Sequence, residues 1–359
     1  MKELTTLMTK AISGLAADAL RVAAKNPAQL AYLTRFAAGL DAAGKLREGH
    51  EADGLHVPPF LIASITQDCN LACAGCYARA NAACGSQKAG YLCAEKWESI
   101  FAEAEGLGVS FILLAGGEPL LRQDVLAAAG RHEQIVFPVF TNGTMADEGF
   151  YALLKQHRNV LPIISVEGGE AVTDARRGAG VHAQVAEVMG RLKCMGILFG
   201  TSITVTKTNL REVTGDDFAR GLRKAGCSIL FYVEYVPADG QSDGEALTEE
   251  DRKLLEDRLA DLRQTLNSII ISFPGDEELF GGCLAAGRGF VHINSSGGLE
   301  PCPFSPYSAD ALGELSLAQA LRSPFLARIR EMNLTDGHHV GGCVLYKKRA
   351  QVQELLAER

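Results

Sequence analysis

Apolar positions in this chain follow two patterns, one helical and one typical of buried strands. Residues 1–55 place apolar side chains at roughly helical intervals, and Asn26-Pro27 interrupts the pattern, which predicts two N-terminal helices. From residue 60 onward, short apolar runs alternate with longer stretches of helical periodicity. These runs predict strands over residues 60–66, 111–115, 135–141, 161–166, 200–206 and 229–236.

Strands that alternate with helices indicate parallel βαβ units. Six such units predict an α/β fold, a partial (β/α)6 TIM-type barrel with a helical N-terminal extension and a small C-terminal cysteine-containing domain. Beyond residue 240 we predict an acidic helix near 249–266, a hairpin that turns on Gly297-Gly298, and a last helix over 345–356. The predicted domains are 1–56, 57–240, 241–272 and 273–359, the third being a linker helix.

The composition is that of an ordinary soluble globular protein, with 47% hydrophobic and 22% charged residues among 359. A net charge of −8 argues against a nucleic-acid partner, because phosphate binding needs clustered Lys and Arg. No apolar stretch reaches the length of about 18 residues that a membrane span needs. Glu3, Lys10 and Asp18 interrupt the run that a signal peptide would require, so we expect a cytoplasmic protein without a transmembrane segment.

Cysteine spacing is the strongest chemical signal. Ten cysteines stand at positions 69, 73, 76, 84, 93, 194, 227, 283, 302 and 343, and the first three form a CxxxCxxC loop directly after the first predicted strand. In an α/β barrel, ligands bind at that end of the strands. Three thiolates can hold three corners of a [4Fe–4S] cluster and leave the fourth iron open. A zinc site or buried structural cysteines are the alternatives, although zinc sites more often use paired CxxC or Cys/His sets.

Three further segments close later strands with residues suited to a polar ligand. Gly116-Gly117-Glu118-Pro119 follows the second strand and combines a flexible backbone with a carboxylate. Thr141-Asn142-Gly143 closes the third strand, and Ser165-Val166-Glu167-Gly168 closes the fourth, shortly before Arg176-Arg177. Taken singly, each segment has a structural alternative: a glycine turn, an Asn-Gly turn, or a solvated surface arginine.

Together with the CxxxCxxC loop, these motifs resemble the radical S-adenosylmethionine enzymes, and within them the branch with a C-terminal auxiliary iron–sulfur domain of the SPASM or Twitch type. The resemblance covers roughly residue 61 to the end of the chain. It implies a [4Fe–4S] cluster with an open iron, S-adenosylmethionine as cofactor, and a low-potential electron donor of the flavodoxin or ferredoxin type. Residues 57–240 would form the radical S-adenosylmethionine barrel and residues 273–359 the auxiliary-cluster domain.

The resemblance also implies roles for individual residues. Cys69, Cys73 and Cys76 would bind the cluster, and Gly116, Gly117, Glu118 and Pro119 would cradle the methionine amino group. Ser165 and Arg177 would contact the methionine carboxylate, with the planar guanidinium suited to that group. Thr141 and Asn142 would lie near the ribose. Gly75 stands where the family commonly has an aromatic residue whose backbone contacts the adenine; here the nearest aromatic residue is Tyr77.

Alternation along the strands predicts which side chains enter the barrel. If Ile164 and Val166 face the helices, then Ser165 and Glu167 face the lumen, as does Thr204 on the fifth strand. On the sixth strand we place Tyr232 and Glu234 inward. A carboxylate is expensive to bury against helices, so Glu234 is the candidate catalytic, substrate-contacting group.

A second cysteine group stands near the C-terminus. Cys283, Cys302 and Cys343 each lie beside Gly or Pro, a context typical of metal ligands, and resemble an auxiliary cluster site. The fourth position is left open: an open iron, His338, His339, Tyr346, or a thiolate from elsewhere. Alternatively, the three cysteines pack a small appendage. Cys84, Cys93, Cys194 and Cys227 lack partner spacing.

The resemblance implies an enzyme that reductively cleaves S-adenosylmethionine to a 5′-deoxyadenosyl radical, which abstracts hydrogen from a substrate. We expect the substrate to be a peptide or protein, or a cofactor or natural-product precursor. A lipid approached through the apolar N-terminal helices, or a small metabolite, is an alternative. Two further hypotheses are a non-enzymatic iron–sulfur carrier or scaffold and a zinc-stabilised binding protein.

Overall fold

The computed structural model describes residues 2–81, 90–337 and 342–358, whose strands form one sheet. Its order is β10-β9-β8-β1-β2-β3-β4-β5-β6-β7. The strands are β1 (Phe60–Thr66), β2 (Phe111–Gly116), β3 (Phe137–Thr141), β4 (Val160–Val166), β5 (Gly200–Val205), β6 (Ile229–Glu234), β7 (Ile269–Phe273), β8 (Phe290–Ile293), β9 (Gly298–Glu300) and β10 (Asp310–Ala311). β1 to β7 pair in parallel with their neighbours in chain order, so the predicted six-strand array is present and extended by β7.

Helices connect and flank these strands. They are α1 (Lys2–Val22), α2 (Pro27–Ala52), α3 (Tyr77–Ala80), α4 (Ala94–Gly106), α5 (Gln123–Gly130), α6 (Glu148–Gln156), α7 (Glu170–Arg177), α8 (Val181–Cys194), α9 (Leu210–Val213), α10 (Asp216–Ala225), α11 (Glu249–Thr265), α12 (Leu317–Ala320), α13 (Pro324–Glu331), α14 (Val344–Lys347) and α15 (Arg349–Ala357). The predicted last helix is two helices, which meet at Lys348. Within the described ranges, no helix is both long and apolar enough to cross a membrane.

The two faces of the parallel sheet pack against different helices. Ile164 and Val166 on β4 face the main helical layer and belong to the large core cluster that contains Trp97 and Phe101 of α4. Leu161 and Ile163 point to the opposite, inner face, because side chains alternate along a strand. At the amino ends of the strands, that inner face is closed by the two N-terminal helices.

The N-terminal helices pack against the sheet. Phe36 of α2 meets Phe111 of β2 edge to face, with 5.7 Å between ring centroids, and Leu33 joins the same cluster. Asn26 caps α2, and Pro27 starts it, which explains the interruption seen in the sequence. Because these apolar faces are already covered by the protein's own strands, the basis for the predicted lipid alternative is lost.

The C-terminal segment is built into the main sheet, whereas the sequence predicts a separate appendage. β8 pairs in parallel with β1, and the ring of Phe290 lies 5.9 Å from that of Phe60. The predicted hairpin at Gly297-Gly298 is confirmed, since β8 and β9 pair antiparallel with His292 opposite Glu300. Without β8, the buried strand β1 would end the sheet as an open edge. The predicted domain boundaries remain predictions.

The inward orientation predicted for the sixth strand is wrong. Ser202 of β5 pairs in register with Phe231 of β6, and Val205 pairs with Glu234. Paired residues of neighbouring strands share a face, so Phe231 lies with Ser202 on the inner face, while Tyr232 and Glu234 face the helices. The Tyr232 hydroxyl donates to the carbonyl of Val213 in α9 at 3.0 Å. The inner face is therefore mixed, with Phe231 beside the serine and threonine hydroxyls.

Candidate active site

The three-cysteine loop leaves the sheet at the carboxyl end of β1. Cys69, Cys73 and Cys76 are half-buried. The backbone of Gly75 adopts a φ of +63°, in the left-handed region that favours glycine. The amide of Ala74 donates to the carbonyl of Arg176 at 2.9 Å, which attaches the loop to the end of α7.

Two arginines lie beside the middle cysteine. Burial raises the pKa of the Cys73 thiol, and the nearby Arg177 and Arg176 guanidinium groups oppose this rise. Only the thiolate binds metal, so cations at this position favour the form of Cys73 that an iron ion requires.

The glycine pair after β2 lies against the backbone that enters the cysteine loop. The amide of Gly117 donates to the carbonyl of Thr66 at 2.8 Å, and that of Glu118 to the carbonyl of Asp68 at 2.7 Å. A Cβ at Gly117 would overlap the carbonyl of Asp68. Gly117 therefore has no room for a side chain because it packs against the chain's own backbone. From the sequence we expected the glycine pair to make room for a ligand.

Glu118 is buried and joins two of the predicted motifs by hydrogen bonds. Its side-chain oxygens accept hydrogen bonds from the Thr141 hydroxyl at 2.5 Å, the Leu120 amide at 3.0 Å and the Asn142 amide at 2.8 Å. Burial raises the pKa of Glu118 to about 7, against the effect of these donors. Glu118 therefore fixes the end of β3 relative to the glycine pair.

The turn after β3 is joined directly to the cysteine loop. The Asn142 side-chain amide donates to Asn70 Oδ1 at 2.9 Å, and the Asn70 amide donates to the Thr144 hydroxyl at 2.7 Å. Asn70 directly follows Cys69. No local sequence pattern identifies Asn70 as a site residue, because its partner lies 72 residues away.

A buried carboxylate organises the opposite side of the site. Glu167 is fully buried and accepts hydrogen bonds from Arg176 Nη1 at 2.6 Å, Arg177 Nε at 2.8 Å and the Thr204 amide at 3.1 Å. Arg176 also donates to the Thr204 hydroxyl at 3.0 Å. Ser165 lies half-buried on the same face, in register with Ser202. Sequence reasoning missed Arg176, which touches both this cluster and the cysteine loop.

Glu234, the predicted catalytic residue, lies in the helical layer. It is 3% exposed and forms an ion pair with Arg252 of α11, with 3.1 Å between Oε2 and Nε. Burial raises the pKa of Glu234 to about 7, although Arg252 lowers it. Arg252, 18 residues away along the chain, compensates the charge of the buried Glu234 carboxylate. The predicted substrate-contacting role of Glu234 is therefore wrong.

The second cysteine group is compact and buried. Cys283, Cys302 and Cys343 are 5%, 3% and 6% exposed. A hydrogen bond joins the Cys302 and Cys343 thiols, and it lowers the pKa of Cys343, whereas burial raises that of Cys302. Glu277, which sequence reasoning missed, hydrogen-bonds the Cys283 thiol, and burial raises its pKa to about 8. Cys84, His338 and His339 lie outside the described residues.

Tyr235 stands between the two cysteine groups. A Cβ added at Gly75 would meet its hydroxyl, and one added at Gly342 would meet its carbonyl oxygen. Tyr77 packs on Phe304, with 4.8 Å between ring centroids, so a second contact joins the first cysteine loop to the segment after Cys302. Both groups therefore lie at the same end of the sheet.

A family model, that of the radical SAM superfamily, matches residues 63–224, which include the cysteine loop and each of the segments joined to it. Residues 63–224 of this chain are a radical SAM domain. The predicted resemblance to the radical SAM superfamily is confirmed, and that superfamily implies a [4Fe–4S] cluster and S-adenosylmethionine.

Curated relatives of this radical SAM protein include two from Methanosarcina barkeri. This chain is 30% identical over 159 residues to Fe-coproporphyrin III synthase, and the match covers 43% of this chain and 39% of that protein. It is 28% identical over 283 residues to AdoMet-dependent heme synthase, covering 71% of this chain and 80% of that protein. The chain thus spans less than half the length of the first of these relatives.

Among solved structures, that of Streptococcus suis SuiB bound to S-adenosylmethionine matches with a TM-score of 0.68 at 16% identity. The match covers 86% of this chain and 76% of that chain. A likeness at this level of identity shows the fold. The predicted partial barrel is therefore confirmed.

The donor set around the first cysteine loop fits the radical SAM cluster. Cys69, Cys73 and Cys76 belong to one loop, with cations beside Cys73 that favour thiolates. Within the described ranges, no three His, Cys, Asp or Glu side chains converge on one point, as the ligands of a single ion would. A four-iron cluster does not require such convergence, because each thiolate binds a different iron.

Sequence reasoning also missed a polar chain on the inner face near β1. Ser64 Oγ lies 2.7 Å from His292 Nε2, and His292 Nδ1 lies 2.7 Å from Glu300 Oε2. The Asn294 amide donates to Glu300 Oε1 at 2.6 Å. The pairing of β8 with β1 brings Ser64 and His292 together across 228 residues of sequence, which no local pattern predicts.

The radical SAM loop gives a prediction at Gly75. Alanine there is expected to lower iron incorporation markedly, because its Cβ would displace the Tyr235 ring, which is held by a 2.5 Å hydrogen bond to Ser242. The left-handed backbone adds a cost of about 1–2 kcal/mol. Iron and sulfide content after anaerobic reconstitution measures the effect.

Gly54→Ala is the control for this prediction. Gly54 has a φ of +74°, similar to that of Gly75, but among the described residues no atom beyond its chain neighbours lies within 4 Å of its added Cβ. This variant is expected to carry the same backbone cost and to load iron normally. Equal iron content in the two alanine variants would contradict a role for the contact with Tyr235.

Proposed function

We propose that this chain reductively cleaves S-adenosylmethionine to a 5′-deoxyadenosyl radical, which abstracts hydrogen from a substrate. A [4Fe–4S] cluster on Cys69, Cys73 and Cys76 supplies the electron when bound. One observation carries the proposal: the cysteine loop is hydrogen-bonded to all three motif segments at the carboxyl end of the strands. The contacts involve the glycine pair, Asn142 and the Arg176 carbonyl.

The motif residues would hold the cofactor from several sides. The Gly116-Gly117-Glu118-Pro119 segment would bind the methionine amino group, with Glu118 keeping the segment and the Thr141-Asn142 turn in place. Arg177 donates from Nε and Nη2 to Glu167. Its Nη1, which has no hydrogen-bond partner among the described residues, would bind the methionine carboxylate near Ser165 and Thr204. The Gly75 carbonyl would meet the adenine, beside Tyr77.

A second iron–sulfur cluster on Cys283, Cys302 and Cys343 is part of the proposal, in a domain of the SPASM or Twitch type. Three thiols gathered at one buried place support it, because they supply three thiolate ligands once a metal displaces their protons. Tyr235 lies between this pocket and the first loop. A flavodoxin or ferredoxin type protein would donate the electrons.

We propose that the substrate is a cofactor precursor or related natural product. The similarity to the heme synthase, which extends over 71% of this chain, supports this class. A peptide is the second candidate, since a SuiB structure of the same fold holds a precursor peptide. A surface cleft of about 260 Å³, lined in part by Phe304, Tyr307, Tyr346 and Arg349, would accept an aromatic or carboxylate-bearing group of either class.

Anaerobic turnover tests the proposed reaction. Reconstituted protein, reduced with dithionite, is expected to convert S-adenosylmethionine to 5′-deoxyadenosine and methionine, measured by chromatography. Cys69/Cys73/Cys76→Ala is expected to form neither product, because it lacks the ligands of the first cluster. Cys194→Ala, which alters an exposed cysteine at the end of α8, is expected to match the wild type.

The same experiment separates the other hypotheses. A non-enzymatic iron–sulfur carrier would bind iron and sulfide and leave S-adenosylmethionine intact. A zinc-stabilised protein would be colourless and insensitive to air. Addition of a carboxylated porphyrin or of a peptide then tests the substrate class, since the true class is expected to accelerate formation of 5′-deoxyadenosine.

A further inference from the structure

The pocket of the C-terminal cysteines contains a fourth potential ligand, Glu277. It lies in the 3-10 helix Gly275–Phe280 that follows β7, and it is 4% exposed. Its carboxyl group hydrogen-bonds the thiol of Cys283 and the amide of Leu284, and the charge of Cys343 acts on it. One buried pocket thus brings together three sulfur donors and one carboxylate.

Packing alone does not account for a carboxylate at this position. Burial takes this carboxyl group away from water, and the neighbouring thiols offer it only weak hydrogen bonds in exchange. Arg288, whose charge acts on Glu277, donates its hydrogen bonds to the carbonyl groups of Cys283 and Phe280. A metal cluster would bind all four donors at once.

Other candidates for the fourth position are less suitable. The Tyr346 hydroxyl donates to the carbonyl of Pro237 at 2.9 Å, and the amide of Tyr346, rather than its side chain, meets the Cys343 sulfur at 3.3 Å. Tyr346 is therefore held by its backbone beside the pocket, with its hydroxyl bonded elsewhere.

We propose that Glu277 is the fourth protein ligand of the C-terminal iron–sulfur cluster, beside Cys283, Cys302 and Cys343. This inference rests on the proposed second cluster. Glu277 would bind one iron through a carboxylate oxygen, and the thiols would bind as thiolates, so assembly releases their protons. Carboxylate is a harder donor than thiolate, which makes the iron at Glu277 the most easily lost.

The test isolates the second cluster in the 359-residue chain. Cys69/Cys73/Cys76→Ala serves as background, reconstituted anaerobically, and iron, sulfide and the electron paramagnetic resonance spectrum are measured. The background is expected to hold about four irons. Addition of Glu277→Gln is expected to remove about one iron and to give the spectrum of a three-iron cluster, because an amide is a poor iron ligand.

Two further variants make the result decisive. Glu277→Cys supplies a thiolate at the same position and is expected to restore about four irons. Glu278→Gln, which alters the neighbouring half-exposed carboxylate paired with Arg252, is expected to leave the iron content unchanged. If Glu277→Gln loses all of its iron, the result for Glu277→Cys decides. A restored cluster in Glu277→Cys supports ligation by Glu277, and a cluster that is not restored contradicts it.

The two levels of the proposal fail in different ways. If the background itself holds no iron, the proposed second cluster is wrong. If the background holds about four irons and Glu277→Gln keeps all of them with an unchanged spectrum, the cluster exists and Glu277 does not ligate it.

Discussion

Glu167→Ala is expected to destabilise the protein by about 3–5 kcal/mol, the usual cost of removing one partner from a buried ion pair. Glu167 accepts hydrogen bonds from both Arg176 and Arg177, whose side chains are only 18% and 10% exposed. Without the carboxylate, two desolvated guanidinium groups would face each other. Urea unfolding of the iron-free protein measures the loss without interference from the cluster.

The same variant is expected to weaken S-adenosylmethionine binding. Arg177 is oriented by Glu167, and Arg176 holds the cysteine loop through its carbonyl. Glu170→Ala, at the exposed start of α7, is the control and is expected to change the free energy of unfolding by less than about 1 kcal/mol. A Glu167→Ala protein as stable as this control would show that the arginines do not depend on the carboxylate.

Arg252→Leu is expected to cost about 3–5 kcal/mol at pH 8 and clearly less below pH 6. Its partner Glu234 has a pKa already raised by burial to about 7, compared with 4.5 unfolded, and loss of Arg252 raises it further. When folding raises the pKa of a carboxyl group, the protonated group stabilises the folded protein below the pKa of the unfolded chain. This stabilisation is lost as the pH rises through the pKa of the folded protein. Protonation of Glu234 below pH 6 removes its buried charge, and the variant therefore loses less free energy of unfolding there.

The groups around Glu234 define this pH dependence. Arg252 attracts its charged form, and Glu256 and Glu278 repel it. Arg258→Leu, on the same helix, removes a surface pair with Asp216 and is expected to cost at most about 1 kcal/mol at either pH. Urea unfolding at pH 5.5 and pH 8 measures both variants, and an equal cost of Arg252→Leu at the two values would contradict the raised pKa.

The fold explains why the site can be built from short motifs. Parallel strands place all their carboxyl ends at one edge, so segments as far as 72 residues apart become neighbours there. The hydrogen bonds from Gly117 to Thr66 and from Asn142 to Asn70 join these segments to the cysteine loop. The N-terminal helices close the other end of the inner face, which leaves the strands' carboxyl ends as the open side.

The sequence by itself determined the strand and helix periods, the CxxxCxxC loop and the family, because these depend on residues close together along the chain. Side-chain alternation also identified the outer face of β4 correctly, since Ile164 and Val166 share one apolar side. Likewise, Asn26-Pro27 fixed the break between α1 and α2 by local capping and the backbone restriction of proline.

Only the tertiary structure decided which distant groups meet. The register of β6 against β5 turned Glu234 toward Arg252 of α11, and the pairing of β8 with β1 brought His292 to Ser64. The pocket of Glu277 and the C-terminal cysteines arises in the same way. Charge compensation and sheet register depend on partners many residues away, and the local pattern that identifies a strand carries no information about them.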